Sequence, residues 1–159
     1  MTLRGLRRAG LNGSEGGALW LGHRESIAEV TAVALPHGPG VVENPGFWQM
    51  STEVYAQLSD WASDRTFVLL ALVHSHGPKG ANYLSALDEF ATVRVPDFLS
   101  IVVGGFGSDS EPKDWGYHVF EGSEFKRLTK IDVSQRLRFQ RGSVLSVEVD
   151  EHGVKPLDG

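Results

Sequence analysis

Two histidines and one aspartate lie close together in the sequence, just after an apolar segment. His74 and His76 follow the apolar run 67–73, and Asp88 comes 12 residues after His76. Imidazole nitrogens and a carboxylate oxygen are common zinc ligands, and three of them leave one tetrahedral position open, as in catalytic zinc sites. The spacing therefore predicts a metal site that could polarise a carbonyl group and acidify water.

The same residues also have a purely structural interpretation. The pattern His-x-His is common by chance, and Ser85-x-x-Asp88 can be a helix N-cap with an acidic residue at position N3, worth ~1 kcal/mol. The two interpretations are compatible, because one helix N-terminus can hold both a cap and a ligand. The metal site is favoured by its placement, since an apolar strand that ends in two polar histidines suggests a function.

Hydrolysis needs a group that accepts the proton of the attacking water. Glu15 stands just before an apolar segment, 17–22, that is predicted to be a strand. If this strand neighbours residues 67–73, Glu15 lies near His74. The other glutamates considered for the role are Glu25, Glu29, Glu43 and Glu89.

The elements that must position these side chains alternate between strands and helices. The continuously apolar run 67–73 indicates a central strand that is covered on both faces. We predict a single α/β domain of three layers, in which a mixed, curved β-sheet is flanked by helices. The predicted strands are 17–22, 26–35, 67–73, 98–103, 115–121 and 124–129, and the predicted helices are 51–62 and 85–93.

Three further segments complete the predicted domain, which spans residues 1–159. Residues 1–14 are expected to form a short arm with little regular structure. Residues 36–46 are rich in proline and glycine and are expected to be a loop. Residues 130–159 are expected to form C-terminal strands of uncertain role, with a hairpin turn at 150–153.

The composition narrows the classes of protein and partner. The chain has 159 residues and no cysteine, which suits one domain and excludes thiolate ligands and cysteine nucleophiles. The net charge of −5 argues against nucleic acid as a partner. The longest apolar run is far shorter than the ~20 residues of a membrane helix, and no signal peptide is apparent. We therefore expect a cytoplasmic protein without a membrane partner.

Taken together, the motifs resemble those of the JAMM (JAB1/MPN+) zinc metallopeptidases. The family pattern is E-x-x-G-x-x-x-G, then H-x-H, then S-x-x-D. The chain has Glu15 to Gly22, then His74-Ser-His76, then Ser85 to Asp88, and the later strand 96–103 also matches. The resemblance spans roughly residues 15–128 and implies the MPN/JAB fold, which is cytidine-deaminase-like.

The resemblance also implies a role for each motif residue. His74, His76 and Asp88 would bind Zn²⁺. Glu15 would hold the nucleophilic water and pass its proton to the leaving amine, and Ser85 would hydrogen-bond the oxyanion or orient the water. The segment from His76 to Asp88 is one residue longer than in most eukaryotic members.

The substrate implied by the resemblance is the (iso)peptide bond after the C-terminus of a ubiquitin-like protein. Small bacterial members act in ubiquitin-like conjugation systems, including antiphage systems, with activating and conjugating enzymes as possible partners. A Gly-ended tail could add as a strand at a sheet edge, between loops 36–46 and 104–114. The alternatives are a non-catalytic MPN scaffold subunit and a JAB hydrolase that acts on a sulfur-carrier protein or a small amide.

Four other histidines are interpreted as ordinary surface or core residues. They are His23, His37, His118 and His152.

Overall fold

A computed structural model describes residues 1–24, 28–139 and 143–157. Within these ranges the chain forms strands and α-helices that mostly alternate along the sequence. The strands are β1 (Gly17–Arg24), β2 (Ala28–Pro36), β3 (Val41–Asn44), β4 (Phe47–Met50), β5 (Val68–Ser75), β6 (Leu99–Val103), β7 (Gly116–Phe120), β8 (Phe125–Arg127), β9 (Leu145–Asp150) and β10 (Gly153–Pro156). The α-helices are α1 (Thr2–Gly10), α2 (Thr52–Ser63), α3 (Ala86–Ala91) and α4 (Lys130–Arg136), and short 3-10 turns occur at Gly105–Gly107 and Pro112–Asp114.

Eight of the described strands form one mixed sheet. Their order is β10-β9-β2-β1-β5-β6-β7-β8, and β3 pairs with β4 in a separate hairpin. Strand β1 is antiparallel to β2 and β5, whereas β5 is parallel to β6. The apolar run at residues 67–73 therefore forms an interior strand of the sheet, as its composition predicts.

Both faces of the sheet are covered by helices. Successive residues of β5 point to opposite faces. Val73 belongs to a core that includes Leu6 of α1, and Leu72 belongs to a second core that includes Leu58 of α2. The predicted mixed sheet flanked by helices is confirmed.

The first helix contradicts one prediction. Residues 1–14 are not an irregular arm, because Thr2–Gly10 is helical. Leu6 and Ala9 are three residues apart on one helix face and are 0% and 1% exposed. A helix this short has little stability alone. Its apolar face is stabilised by packing against the sheet, which the local sequence does not reveal.

A second correction concerns residues 36–46, which do not form a continuous loop. They contain β3, and Val41 lies opposite Met50 of β4. The two β-branched residues Val41 and Val42 favour a strand and outweigh the surrounding prolines and glycines. The hairpin covers the start of β1, where the Trp48 ring lies 2.5 Å from the position that a Cβ on Gly17 would take.

The C-terminal part is also only partly as predicted. Residues 130–136 form helix α4 instead of a strand, with Thr129 and Asp132 as its capping box. This helix-start signal outweighs the weak apolar alternation that follows it. Strands β9 and β10 pair as an antiparallel hairpin, which confirms the turn predicted at residues 150–153.

The remaining differences are at the ends of elements. Helix α3 ends at Ala91, two residues before the predicted end at Val93. His23 and Arg24 extend β1 beyond its predicted end at residue 22, and Glu25 lies outside the described residues. None of the helices in the described part of the chain is long and apolar enough to span a membrane.

Candidate metal centre

Three side chains converge at the end of β5. The Nε2 atoms of His74 and His76 lie 3.3 Å apart. Asp88 Oδ2 is 3.1 Å from His76 Nε2, and Asp88 Oδ1 is 3.4 Å from His74 Nε2. Across residues 1–24, 28–139 and 143–157, this is the one group of His, Asp and Glu side chains that could share a metal ion.

These donor atoms fit a tetrahedral divalent ion such as zinc. Ligand bonds of ~2.0–2.1 Å in a tetrahedron place neighbouring donor atoms ~3.3 Å apart. The observed separations of 3.3, 3.1 and 3.4 Å agree with that value. Two imidazoles with one carboxylate also suit zinc better than magnesium or calcium, which prefer oxygen ligands only.

Backbone pairing on both sides positions the two histidines. His74 lies in β5 opposite Gly17 of β1 and Val102 of β6. His76 follows the strand, and its N–H donates to the carbonyl of Val103 at 2.9 Å. Because residues i and i+2 of an extended chain project to the same side, both imidazoles reach one point above the sheet.

The first part of the loop after His76 is held by the segment that follows β6. The carbonyl of His76 accepts from the N–H of Phe106 at 2.8 Å, and the carbonyl of Pro78 accepts from Gly105 at 3.0 Å. The N–H of Gly80 donates to Asp109 Oδ2 at 2.9 Å. These contacts give the longer loop one defined path back toward the histidines.

The second part of the loop is held over β7 by Asn82. Its Nδ2 donates to the carbonyl of Asp114 at 2.9 Å, and its Oδ1 accepts from Arg127 at 2.6 Å. A Cβ on Gly116 would stand only 1.6 Å from the Asn82 carbonyl oxygen, so this close approach requires glycine. No local pattern in the sequence marks Asn82 or Gly116 as important to the site.

Helix α3 begins with a capping box that orients Asp88. Ser85 Oγ accepts from the Asp88 N–H at 3.2 Å, and Asp88 Oδ2 accepts from the Ser85 N–H at 2.7 Å. Burial alone would raise the pKa of the Asp88 carboxyl, but hydrogen bonds with His74 and His76 hold that pKa well below its usual range. The carboxylate is therefore ionised and available as a ligand while it also caps the helix.

Glu15 is buried next to the three donors, with 6% of its surface exposed. Its N–H donates to the carbonyl of Asn44 at 2.8 Å, and Gly16 exchanges two 3.0 Å hydrogen bonds with Ser75 of β5. Burial raises the pKa of the Glu15 carboxyl to about 7, with His76 lowering and Asp88 raising it. A carboxyl group with this pKa can both accept and release a proton near neutral pH.

The other glutamates considered for the role of base differ from Glu15 in their surroundings. Glu29 and Glu89 are exposed. Glu43 lies 3.8 Å from His37. Glu25 lies outside the described residues.

Two buried polar residues near the site were not predicted from sequence. Ser100 of β6 lies opposite both Leu72 of β5 and His118 of β7, so it projects from the same face of the sheet as His74. Within the described part of the chain, Ser100 Oγ and His118 Nδ1 have no hydrogen-bond partner, and neither has His74 Nδ1. Burial, together with the smaller effect of the Arg127 charge, lowers the pKa of His118 to about 4, which keeps the imidazole neutral. A lone histidine in an alternating strand gave no signal of this position.

The chain is similar to known proteins, although no model of a protein family matches it. The solution structure of protein DSY2949 from Desulfitobacterium hafniense has a similar fold, with a TM-score of 0.53 and 15% identity over 94% of this chain and 88% of that one. Probable metalloprotease y4jG of Sinorhizobium fredii is 33% identical over 117 residues, which cover 70% of this chain and 68% of that protein. At this identity and coverage, the chain belongs to the same family of metalloproteases as the Sinorhizobium fredii protein.

Proposed function

We propose that the protein is a zinc metallopeptidase of the JAMM/MPN+ type that hydrolyses the (iso)peptide bond after the C-terminus of a ubiquitin-like protein. The observation that carries the proposal is the convergence of His74, His76 and Asp88 beside the buried carboxyl group of Glu15. Membership of a metalloprotease family supports the reaction class. The order and spacing of the motifs support the JAMM type.

The metal would be held by the Nε2 atoms of His74 and His76 and by the carboxylate of Asp88. When bound, zinc supplies Lewis acidity that polarises the scissile carbonyl group and acidifies water. His76 N–H and carbonyl are both hydrogen-bonded to the segment 103–106, so the ligand backbone is held in place before substrate arrives.

Glu15 is the proposed general base and acid. Its carboxylate takes a proton from the attacking water and then gives it to the nitrogen of the leaving amine. A pKa of about 7 suits both steps, because the group must exist in both protonation states at the working pH. The burial that raises this pKa also keeps bulk water from competing for the proton.

Ser85 is proposed to stabilise the charge that develops on the scissile carbonyl oxygen. Its Oγ accepts from the Asp88 N–H at 3.2 Å. The Ser85 hydroxyl also helps to lower the pKa of the Asp88 carboxyl, and we propose that its hydrogen turns from that carboxylate to the substrate oxygen when substrate binds. Such a donor, positioned beforehand, stabilises an oxyanion more strongly in a water-poor site than in bulk solvent.

The proposed partner enters as an extended, Gly-ended tail. The β3–β4 hairpin lies beside Glu15, since the Asn44 carbonyl accepts from the Glu15 N–H. The segment 104–114 borders the loop after His76. We propose that a tail of small residues lies between the hairpin and this segment. We propose that the system is a bacterial, antiphage-type conjugation pathway in the cytoplasm, with activating and conjugating enzymes as further partners.

The test combines metal analysis with cleavage of defined fusions. Each fusion joins the C-terminal glycine of a ubiquitin-like protein to a reporter protein. We expect about one zinc ion per chain and cleavage after the glycine, with both lost on chelation and restored by added zinc. Failure of the zinc-loaded protein to cleave any Gly-ended fusion would contradict the proposal.

Two outcomes would favour the alternatives. A wild-type protein that binds no zinc would favour a non-catalytic MPN scaffold. Zinc-loaded protein that hydrolyses a small amide or a sulfur-carrier precursor, but none of the fusions, would favour a JAB hydrolase with a different substrate.

A further inference from the structure

Helix α3 presents an apolar surface beside the metal centre. We define the α3 patch as Tyr83, Leu87 and Phe90, whose exposed fractions are 56%, 53% and 82%. None of the residues of α3 is buried. Single exposed leucines are ordinary, but a group of large apolar side chains in contact with water on one short segment marks an interaction surface.

The α3 patch is continuous with the three donor side chains. Leu87 directly precedes Asp88, and Phe90 is three residues after Leu87, so these two apolar side chains share a face of the helix. The Tyr83 ring packs edge-on against the His76 ring, with 5.6 Å between the ring centroids. A helix with its side chains is ~10–12 Å across, so the whole patch lies within about that distance of the metal centre.

We propose that the α3 patch is the docking surface for the folded body of the polypeptide substrate whose tail enters the metal centre. This inference rests on the proposed function and adds to it the surface that selects a folded substrate. An extended tail of four residues spans ~13 Å, which is close to the width of the helix. The folded domain at the other end of such a tail therefore lies within about one helix width of the donors, and the exposed apolar side chains of α3 are within that reach.

The patch also indicates what kind of surface the partner presents. Leu87 and Phe90 are apolar and Tyr83 carries one hydroxyl group, so the matching surface on the substrate is apolar with a polar rim. Large exposed aromatic side chains that become buried in an interface commonly contribute most of its binding energy. A short peptide that comprises only the tail would not contact the α3 patch.

The experiment compares a folded substrate with its isolated tail. The double variant Leu87→Ser/Phe90→Ser and the control Ile131→Ser, at an apolar position on α4 that is 69% exposed, are both loaded with zinc. One substrate is a ubiquitin-like protein fused to a reporter, and the other is its last five residues joined to a fluorogenic amine. We expect the double variant to raise KM for the fusion ~10-fold or more, with peptide cleavage and zinc content unchanged.

The possible outcomes separate this inference from the proposed function. Equal KM for the fusion in wild type and double variant, with cleavage intact, would overturn the docking role alone. A concentration-dependent dimer that the double variant abolishes would show that a second copy of the chain covers the patch, and would overturn it too. If the zinc-loaded wild type cleaves neither fusion nor peptide, the proposed function fails and the docking role fails with it.

Discussion

Helices α3 and α4 begin with the same local arrangement, yet only one of them contributes to the candidate metal centre. Ser85 and Asp88 form a capping box at α3, and Thr129 and Asp132 form one at α4. The corresponding N–H to Oδ2 distances are 2.7 Å and 2.9 Å. Neither helix has a buried residue. The motif [Ser/Thr]-x-x-Asp therefore specifies a helix start in both places and does not by itself specify a ligand.

The two aspartates differ in what faces them. Asp88 lies 3.1 Å and 3.4 Å from the Nε2 atoms of His76 and His74. Asp132 instead accepts a 2.7 Å hydrogen bond from the hydroxyl of Thr129, which lowers the pKa of its carboxyl. The hydroxyls of Thr129 and Ser85 are thus both used within their own caps, but only the Asp88 carboxylate also faces two histidines. The chemistry of each cap is determined by residues that other parts of the chain bring close.

The difference between the two caps is tested most directly by neutralising each aspartate in turn. Asp88→Asn removes the anionic ligand, so we expect loss of zinc and of fusion cleavage to background. Asp132→Asn should change neither, because among the described residues no histidine shares its carboxylate. Metal analysis and cleavage of the Gly-ended fusion measure both effects. Zinc retained at wild-type affinity in Asp88→Asn would show that the two caps are equivalent.

A second prediction concerns Glu15, which has no counterpart beside Asp132. Glu15→Gln should retain zinc but lower kcat about 10²–10⁴-fold, the usual contribution of a general base. Single-turnover cleavage of the fusion measures the loss. A Gln variant that binds zinc and still cleaves at the wild-type rate would exclude Glu15 as the base.

The raised pKa of Glu15 also predicts how stability depends on pH in the metal-free protein. Its pKa rises from 4.5 to about 7 on folding, so between these values the folded state binds more protons than the unfolded state. The free energy of unfolding should therefore fall as pH rises from 4.5 to 7, by about 3 kcal/mol at most. Glu15→Gln should flatten this dependence in urea titrations with chelator present. If the slope of the unfolding free energy against pH is unchanged, a group other than Glu15 has the raised pKa.

Another prediction concerns the loop that carries Asp88 to the histidines, a feature that α4 lacks. Gly116→Ala places a methyl group 1.6 Å from the Asn82 carbonyl oxygen, so the loop must move. We expect zinc affinity to fall roughly 10–100-fold, as when groups that orient metal ligands are lost. Gly46→Ala is the matched control, because no atom lies within 4 Å of its added Cβ. Equal zinc affinities in competition with a chelator would show that the loop can shift without moving Asp88.

The smallest expected effect separates the two cap hydroxyls. Thr129→Ala should cost ~1 kcal/mol of stability and leave kcat unchanged. Ser85→Ala should cost a similar amount of stability and also lower kcat by about 10-fold or more, because an oxyanion donor is lost. Thermal unfolding and kcat on the peptide substrate distinguish the two. If both variants lose only stability, Ser85 is a cap and nothing else.

Much of the fold follows from local sequence patterns. The apolar run at residues 67–73 forms the interior strand β5, and Ser51 caps α2 as expected from its position before an amphipathic segment. Patterns failed where stability comes from distant contacts. Helix α1 depends on the sheet beneath Leu6, and β3 depends on its partner β4. Strand β3 is too short to have a strong periodic pattern, whereas α1 is amphipathic but too short to be stable without the sheet.

For the metal centre, sequence alone determined which residue types were available and where two of them would point. His74 and His76 are two positions apart at the end of a strand, and that period places both imidazoles on one side. Ser85 and Asp88 are three positions apart at a helix start, and that spacing makes a capping box. These relations extend over a few residues, so local geometry is sufficient to predict them.

Only the tertiary structure decided that these residues meet. Glu15 is 59 positions from His74 in the sequence, and the pairing of β1 with β5 brings the two close together. The hydrogen bonds of Gly80 and Asn82 direct the loop after His76 back toward the histidines. Burial then determines the pKa of Glu15, which no spacing rule contains. The corresponding cap at Thr129 and Asp132 has no such neighbours among the described residues and is not part of a metal site there. A local motif specifies its own geometry, whereas the electrostatic field and the neighbouring side chains around it are determined by the whole fold.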